Sequence, residues 1–223
     1  MITISAYNWV PGFARGFVRD LRIRWALEEA GLPYNVKLLD INEKFTPTYR
    51  AWQPFSQVPA YKDDDLELFE SGAILLHIAE RSERLLLKDS AGRSRAIVWI
   101  FAALNSVEPY VGSLGEIDVF NRDAAWAKER RPQAEANVRK RLVALAEWLN
   151  GREWLENQFT AGDLMMSTVL RDLGHTDLVS SDPVLAPYLK RCTDRPAFRK
   201  ALSDQLASFD DAKAPAGYSE PVR

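Results

Sequence analysis

The chain has little of what several function classes require. It has one cysteine, Cys192, in 223 residues, which excludes an internal disulfide framework and fits a reducing compartment. It has two histidines, His77 and His175. Neither has a cysteine or a paired carboxylate beside it, so no metal site is expected. The net charge is -2, too small an imbalance to attract nucleic acid or an acidic membrane surface. No apolar run approaches membrane-spanning length. Met1-Ile2-Thr3-Ile4 enters a strand pattern with no basic region or signal-peptide core before it. Internal repeats are absent as well. The expectation is a cytoplasmic protein with neither a nucleic-acid nor a membrane partner. A hydrophobic content of 47% and a charged content of 27% are ordinary for a soluble domain. The length suits one large domain or two small ones.

What is present begins with β-rich residues. Ile2 to Tyr7 predicts a first strand. A helix is expected from Phe13 to Ala30, with Val18, Leu21, Ile23, Trp25, Ala26, Leu27 and Ala30 toward the core and Gly31 and Pro33 ending it. Tyr34 to Leu39 predicts a second strand, making a βαβ unit with parallel pairing. Asp40 to Gln53 is a mixed loop with a short helix.

The densest stretch is Trp52 to Glu80. Val58 to Tyr61 leads into a strand, Asp63-Asp64-Asp65 is a turn, and Leu66, Leu68 and Phe69 continue as a second strand. Glu70-Ser71-Gly72 opens a helix with Ile74, Leu75, Ile78 and Ala79 as its apolar stripe. Ser71 is placed to cap that helix. A helix start holds a carboxylate, and Glu70 beside it would hold an ammonium. Together they suit a zwitterionic amino-acid head. Pro59 in cis would turn the Val58 backbone toward a peptide-like ligand. The plain alternative is that Ser71 only caps and Pro59 only starts an edge strand.

From Ser94 onward the pattern is helical. Ser94 to about Val111 is expected as one helix with Ile97, Val98, Ile100, Phe101 and Leu104 inward. Asp123 to Asn150 is expected as another, with Val138, Leu142, Leu145, Trp148 and Leu149 in register. Thr160-Ala161-Gly162-Asp163 has the form of a capping box before a helix at Leu164 to Leu173. Asp182 to Cys192 and Pro196 to Ala207 close the chain. The expected division is 1–82, a linker over 83–93, a helical domain over 94–208, and a tail over 209–223 that hangs loose or lies over a cleft.

Pro54-Phe55-Ser56-Gln57-Val58-Pro59-Ala60 and Leu68-Phe69-Glu70-Ser71-Gly72-Ala73-Ile74 resemble two stretches of the glutathione transferases. Those stretches read Pro-Phe-Gly-Gln-Val-Pro-Ala and Leu-Phe-Glu-Ser-Arg-Ala-Ile, and they form the family's glutathione site. Ser56 replaces the usual Gly, and Gly72 the usual Arg. Ala26 to Tyr34, the Thr160–Asp163 box and Arg195-Pro196-Ala197-Phe198 are similar to other parts of the family, so the resemblance covers nearly the whole chain. It implies a thioredoxin-like N-terminal domain (α/β) followed by an all-helical C-terminal domain. It implies glutathione held by Gln57, Val58, Glu70 and Ser71, a cis Pro59, a homodimer, and conjugation of the glutathione thiolate to a small hydrophobic electrophile. Relatives that use glutathione for isomerisation or peroxide reduction, and relatives that serve as interaction modules, mark the alternatives.

One family feature is missing. The family activates the thiol with a Tyr, Ser or Cys just after the first strand. No Ser, Thr or Cys occurs between Tyr7 and Asp20, and Phe17 falls where many classes have serine. Tyr7 and Arg15 are the candidates to activate the thiol, with Asn8 or the backbone at Phe13 and Ala14 as further donors. Lys44 is placed to meet the glycine carboxylate of glutathione. Trp9, Phe13, Asn105, Pro109 and Tyr110 are the candidates for the electrophile pocket. Each has a plain alternative as core or solvated surface. Cys192 reads as a buried small hydrophobe.

Overall fold

The structure, a computed structural model, describes residues 1–64 and 66–218. The expected turn residue Asp65 and the last five tail residues lie outside the described residues. The chain forms two compact units. The first comprises Met1–Ser82 together with the chain from Pro196 onward, and the second Glu83–Arg195.

In the first unit, β1 (Ile2–Tyr7) pairs parallel with β2 (Tyr34–Leu39) and antiparallel with β3 (Ala60–Lys62), which pairs antiparallel with β4 (Glu67–Phe69). The sheet order is β2-β1-β3-β4. Helices α1 (Asp20–Ala30), α2 (Pro47–Trp52) and α3 (Ser71–Ala79) complete the thioredoxin-like order. Helix α1 begins later than expected. A short 3-10 turn at Gly12–Ala14 precedes it, and no side chain caps it at Arg19. It ends as the sequence indicates, with Gly31 in the left-handed region at φ 66, where a Cβ would strain the backbone. Ile23, Trp25, Ala26 and Leu27 are buried. Ile74, Leu75, Ile78 and Ala79 are the buried face of α3, as their spacing predicts. In the β3–β4 turn, Leu66 N–H donates to the Asp63 carboxylate at 3.1 Å, the local bond that suits Asp to turns.

The closing helix α9 (Pro196–Ala207) groups with this first unit and packs on α1. Trp25 meets Phe198 edge-on at 4.8 Å. The Gln205 amide donates to the buried Asp20 carboxylate at 2.7 Å, and Arg24 pairs with the same carboxylate at 2.8 Å. Burial pushes the Asp20 carboxyl up against these partners.

The second unit is helical throughout: α4 (Ser90–Phe101), α5 (Glu108–Gly115), α6 (Ala127–Leu149), α7 (Ala161–Arg171) and α8 (Leu185–Thr193). The helix expected from Ser94 begins at Ser90, inside the expected linker, and runs on to Phe120. Wide π turns at Ala102–Val107 and Glu116–Phe120 interrupt it. They alter its phase only beyond Phe101. Ile100, Ala103 and Val107 are buried, whereas Val98 and Phe101, expected inward, are exposed. Trp148, expected in register on α6, is also exposed, while Val138, Leu142, Leu145 and Leu149 are buried. The run Ser90–Phe120 is 31 residues with a window of mean hydropathy 1.3. By length and composition alone it is long enough and apolar enough to cross a membrane, a test that core helices also pass, and the polar residues scattered through it hide this from a search for unbroken apolar runs.

The capping box forms as expected. Asp163 accepts from Thr160 N–H, Leu155 N–H and the Tyr188 hydroxyl, each within 3.0 Å, and Thr160 caps the Gly162 N–H. Gly162 is required here, because a Cβ would lie 2.5 Å from that of Trp99 where α7 meets α4.

Candidate functional site

Five residues singled out by the sequence meet at one narrow cleft in the first unit. Gln57, Val58, Pro59, Glu70 and Ser71 line it together with Arg19 and Gln53. The cleft follows from the fold. The loop between α2 and β3 supplies one wall, and the start of α3 supplies the other.

A chain of hydrogen bonds fixes the loop. Ala60 N–H donates to Ser5 Oγ at 2.7 Å. Ser5 Oγ lies 2.8 Å from the Tyr49 hydroxyl, which donates to the Gln57 carbonyl at 2.6 Å. The Val58–Pro59 peptide is cis, as expected. Gln53, almost fully buried, accepts from Gln57 N–H at 3.1 Å. Ser56, which stands where the family has Gly, has φ 58. The usual Gly is explained by that left-handed backbone, which Ser adopts at a cost. Arg50 Nε donates to Ser56 Oγ at 2.9 Å and helps hold it there.

At the other wall Glu70 has φ 69 and ψ 116, a sparsely populated conformation, and occupies the cap position of α3. This corrects one expectation. Ser71 is the first residue of the helix, not its cap. Its hydroxyl lies 3.3 Å from Arg22 Nη1, which donates to it. Arg22 and Ser71 are both buried, whereas the Glu70 side chain is exposed. A Ser Oγ that accepts from a guanidinium keeps its own proton available for an acceptor in the cleft. The N–H groups at a helix start add partial positive charge there. The wall therefore offers an anion site beside a carboxylate. Strained backbone at Ser56 and Glu70, one on each wall, is a recurrent mark of binding sites.

The other candidates are not among the residues lining this cleft. Tyr7 packs against a cluster of Leu39, Tyr49 and Val58, and Lys44 Nζ sits 5.3 Å from its ring centre. Burial, then Tyr49 and Asp20 nearby, pushes the Tyr7 phenol up to about 12. Lys44 also lies over Phe45 at 5.1 Å, so its charge is spent on aromatic faces. Arg15 pairs with Asp211, donates to the Val10 carbonyl at 3.3 Å and lies over Phe209 at 5.6 Å. Both thiol-activation candidates thus have contacts that sequence spacing does not reveal. Asn8 donates to Asp40 at 2.5 Å, and its carbonyl accepts from Asp210 N–H at 2.8 Å.

These contacts also answer the question of the tail. Residues 209–218 are tied to the loop after β1, with Tyr218 edge-on to Trp9 at 4.7 Å. Trp9 is buried and Phe13 half-buried in the first unit. Tyr110 belongs to the second, where Arg141 donates to its hydroxyl at 2.7 Å. Among the described residues no group of three His, Cys, Asp or Glu is placed to hold a metal. Cys192 is buried, and burial pushes its thiol up to about 12, which leaves it inert.

The sequence reading missed Arg19 and Gln53. Arg19 lies far outside the two recognisable stretches, and only the packing of the first unit brings it to the cleft, whereas Gln53 directly precedes the first of them and meets it through a local bond to Gln57 N–H.

Comparison with known proteins gives the same picture. Residues 13–80 match the family described as Glutathione S-transferase, N-terminal domain. Glutathione S-transferase 3 of Schizosaccharomyces pombe is 25% identical over 225 residues, covering 91% of each chain. Disulfide-bond oxidoreductase YfcG of Escherichia coli is 30% identical over 149 residues, covering 60% of this chain and 68% of that one. A glutathione transferase structure from Burkholderia graminis, with two glutathione molecules bound per subunit, has a TM-score of 0.75 at 27% identity and covers 91% of this chain and 87% of its own.

Proposed function

Because the chain belongs to the glutathione S-transferase family, we propose that it binds glutathione in the cleft of the first unit and transfers the thiolate to small electrophiles. The observation that carries this reading is the convergence of Gln57, Val58, Pro59, Glu70 and Ser71 on one cleft. Glutathione has a γ-glutamyl head with a carboxylate and an ammonium. Ser71 and the N–H groups of α3 suit the carboxylate, and Glu70 suits the ammonium. Val58 and Pro59 line the side where the cysteinyl backbone would lie, and Gln57 lines the same cleft. The proposed assembly is a homodimer and the proposed compartment the cytoplasm, as the family implies.

The test is a glutathione titration, followed by the ultraviolet absorbance of bound thiolate as pH is lowered. Saturable binding is expected, with thiolate persisting below the free-thiol value of about 8.5. Glu70→Gln and Ser71→Ala should each weaken binding by roughly ten-fold or more, the scale of a hydrogen bond to a charged group. Absence of binding would sink the reading.

A second reading has specific support. The Escherichia coli relative is named for disulfide chemistry, and the Burkholderia graminis neighbour holds two glutathione molecules per subunit. With the single cysteine of this chain buried elsewhere, both thiols would have to come from glutathione. One thiolate would attack a disulfide and expel a thiolate. The second glutathione would then resolve the mixed disulfide and leave oxidised glutathione. Assaying turnover of a generic aryl halide beside that of a small disulfide separates the two readings.

A further inference from the structure

We propose that the first unit carries a second binding site, for an uncharged and largely apolar ring compound bearing a carbonyl, in the cleft between α1, the edge strand β2 and α9. The cleft holds about 580 Å³, within the range of small-molecule sites, about 300–1,000 Å³. It shares no lining residue with the glutathione cleft. The two readings therefore stand or fall separately.

The walls set the class of ligand. Leu27, Leu32, Pro33 and Val36 give an apolar surface, with Tyr34 beside them. β2 is bonded to β1 alone, so no further strand covers its outer edge. Arg24 also lines the cleft, although its side chain is only 2% exposed. Its Nε donates to the Asp20 carboxylate at 2.8 Å and its Nη2 to Ser208 Oγ at 3.1 Å. Among the described residues its Nη1 amino group has no acceptor. A donor so placed favours a ligand that brings an oxygen.

The charges around the cleft cancel. Lys200 lies 3.0 Å from Glu28 and 2.5 Å from Asp204. The hydrogen bonds to Asp204 and then Glu28 raise its pKa and keep it charged. With Arg24 paired to Asp20, each cation already faces a carboxylate. An anion would meet Glu28 and Asp204, and a cation would meet Lys200 and Arg24. Either would give up its water for no net attraction. An uncharged ring with one carbonyl matches the apolar walls, the open amino group and the balanced charge together.

The probe is coumarin, titrated into the full chain without glutathione and followed by calorimetry. Saturable binding is expected. Val36→Trp fills the cleft from a strand position that suits a large ring and should weaken coumarin by about ten-fold or more. Arg24→Lys keeps a cation beside Asp20 but removes the open amino group. It should weaken coumarin by about five-fold or more, the scale of one hydrogen bond to a charged group. Chroman, a like ring pair without the carbonyl, should bind wild type and Arg24→Lys within about two-fold. Coumarin-3-carboxylate should bind wild type about ten-fold more weakly than coumarin, or worse. No saturable coumarin binding overturns the proposal. So does an affinity unchanged in Val36→Trp, which would place the probe elsewhere. Equal losses of coumarin and chroman in Arg24→Lys overturn the carbonyl contact, and carboxylate binding as tight as that of coumarin overturns the uncharged ligand. Circular dichroism confirms that each variant is folded. If Arg24→Lys is not, Val36→Trp and the carboxylate comparison still decide.

Discussion

Tyr49 joins three parts of the first unit through one oxygen. Its hydroxyl meets Ser5 on β1 and the Gln57 carbonyl beside the cis bond, while Ser5 in turn accepts from Ala60. The side chain is almost fully buried, so no water replaces a lost partner. Tyr49→Phe should therefore destabilise the protein by about 1–3 kcal/mol, the cost of stranding buried polar groups. It should also weaken glutathione binding several-fold, because the Gln57–Pro59 wall loses its tether. Urea unfolding and a ligand titration read the two effects separately. Unchanged stability would mean that the loop is held by packing alone. At this scale the sequence was legible where chemistry is local. Gln57 to Pro59 and Glu70 to Ser71 are contiguous, so their neighbours in sequence are their neighbours in the site. Gln53 is local to the Gln57 loop and was missed because its buried amide has no sequence signature. Arg19 and the Arg22–Ser71 bond were not legible, because each joins elements that meet only through tertiary packing. The same holds for Arg15, whose partner Asp211 lies 196 residues away.

Between elements, the closing helix carries the most weight for the site. Helix α9 covers α1 with Phe198 and Gln205, and α1 in turn supplies Arg22 and positions Arg19 at its N-terminal end. Gln205 is buried and donates to both the Asp20 carboxylate and the Val18 carbonyl, at 2.7 and 3.0 Å. Gln205→Ala should cost about 1–3 kcal/mol, since it leaves a buried carboxylate short of a donor. A chain ended at residue 82 should not fold alone, because Trp25 and Asp20 would face water. Circular dichroism of that fragment, compared with the full chain, checks this. A cooperative unfolding transition in the fragment would show that α9 is dispensable. The strands and α3 followed their sequence patterns, since two-residue and 3.6-residue periods act locally. The helical run from Ser90 did not. Choosing its inward residues by apolarity selected Val98 and Phe101, whereas its buried positions are Ala96, Ile100, Ala103 and Val107, and the wide turns after Phe101 have no marker in the residues.

Across the whole molecule, five of the seven tyrosines have pKa values raised above the ordinary phenol value, burial being the first cause in each case. Tyr7, Tyr34 and Tyr61 are pushed up to about 12, Tyr49 is raised, and Tyr188 lies well above the usual range. The sign of the linkage follows. Unfolded, each phenol ionises near 10. Folded, it keeps its proton to higher pH, so between these values the native chain binds more protons than the unfolded one and stability falls as pH rises. The contribution is fully present below about pH 10 and is lost progressively toward about 12. Thermal melts should therefore show no loss from these groups up to pH 9 and a steepening fall beyond about pH 10. Phenolate absorbance should rise together with loss of the circular dichroism signal. Four of the five residues belong to the first unit and three of them to its sheet, so saturating glutathione should delay both changes if it binds there. Reversible ionisation of all seven tyrosines near pH 10 with the native signal retained would contradict the burial on which the hydrogen bonds of Tyr49, and hence the cleft, depend.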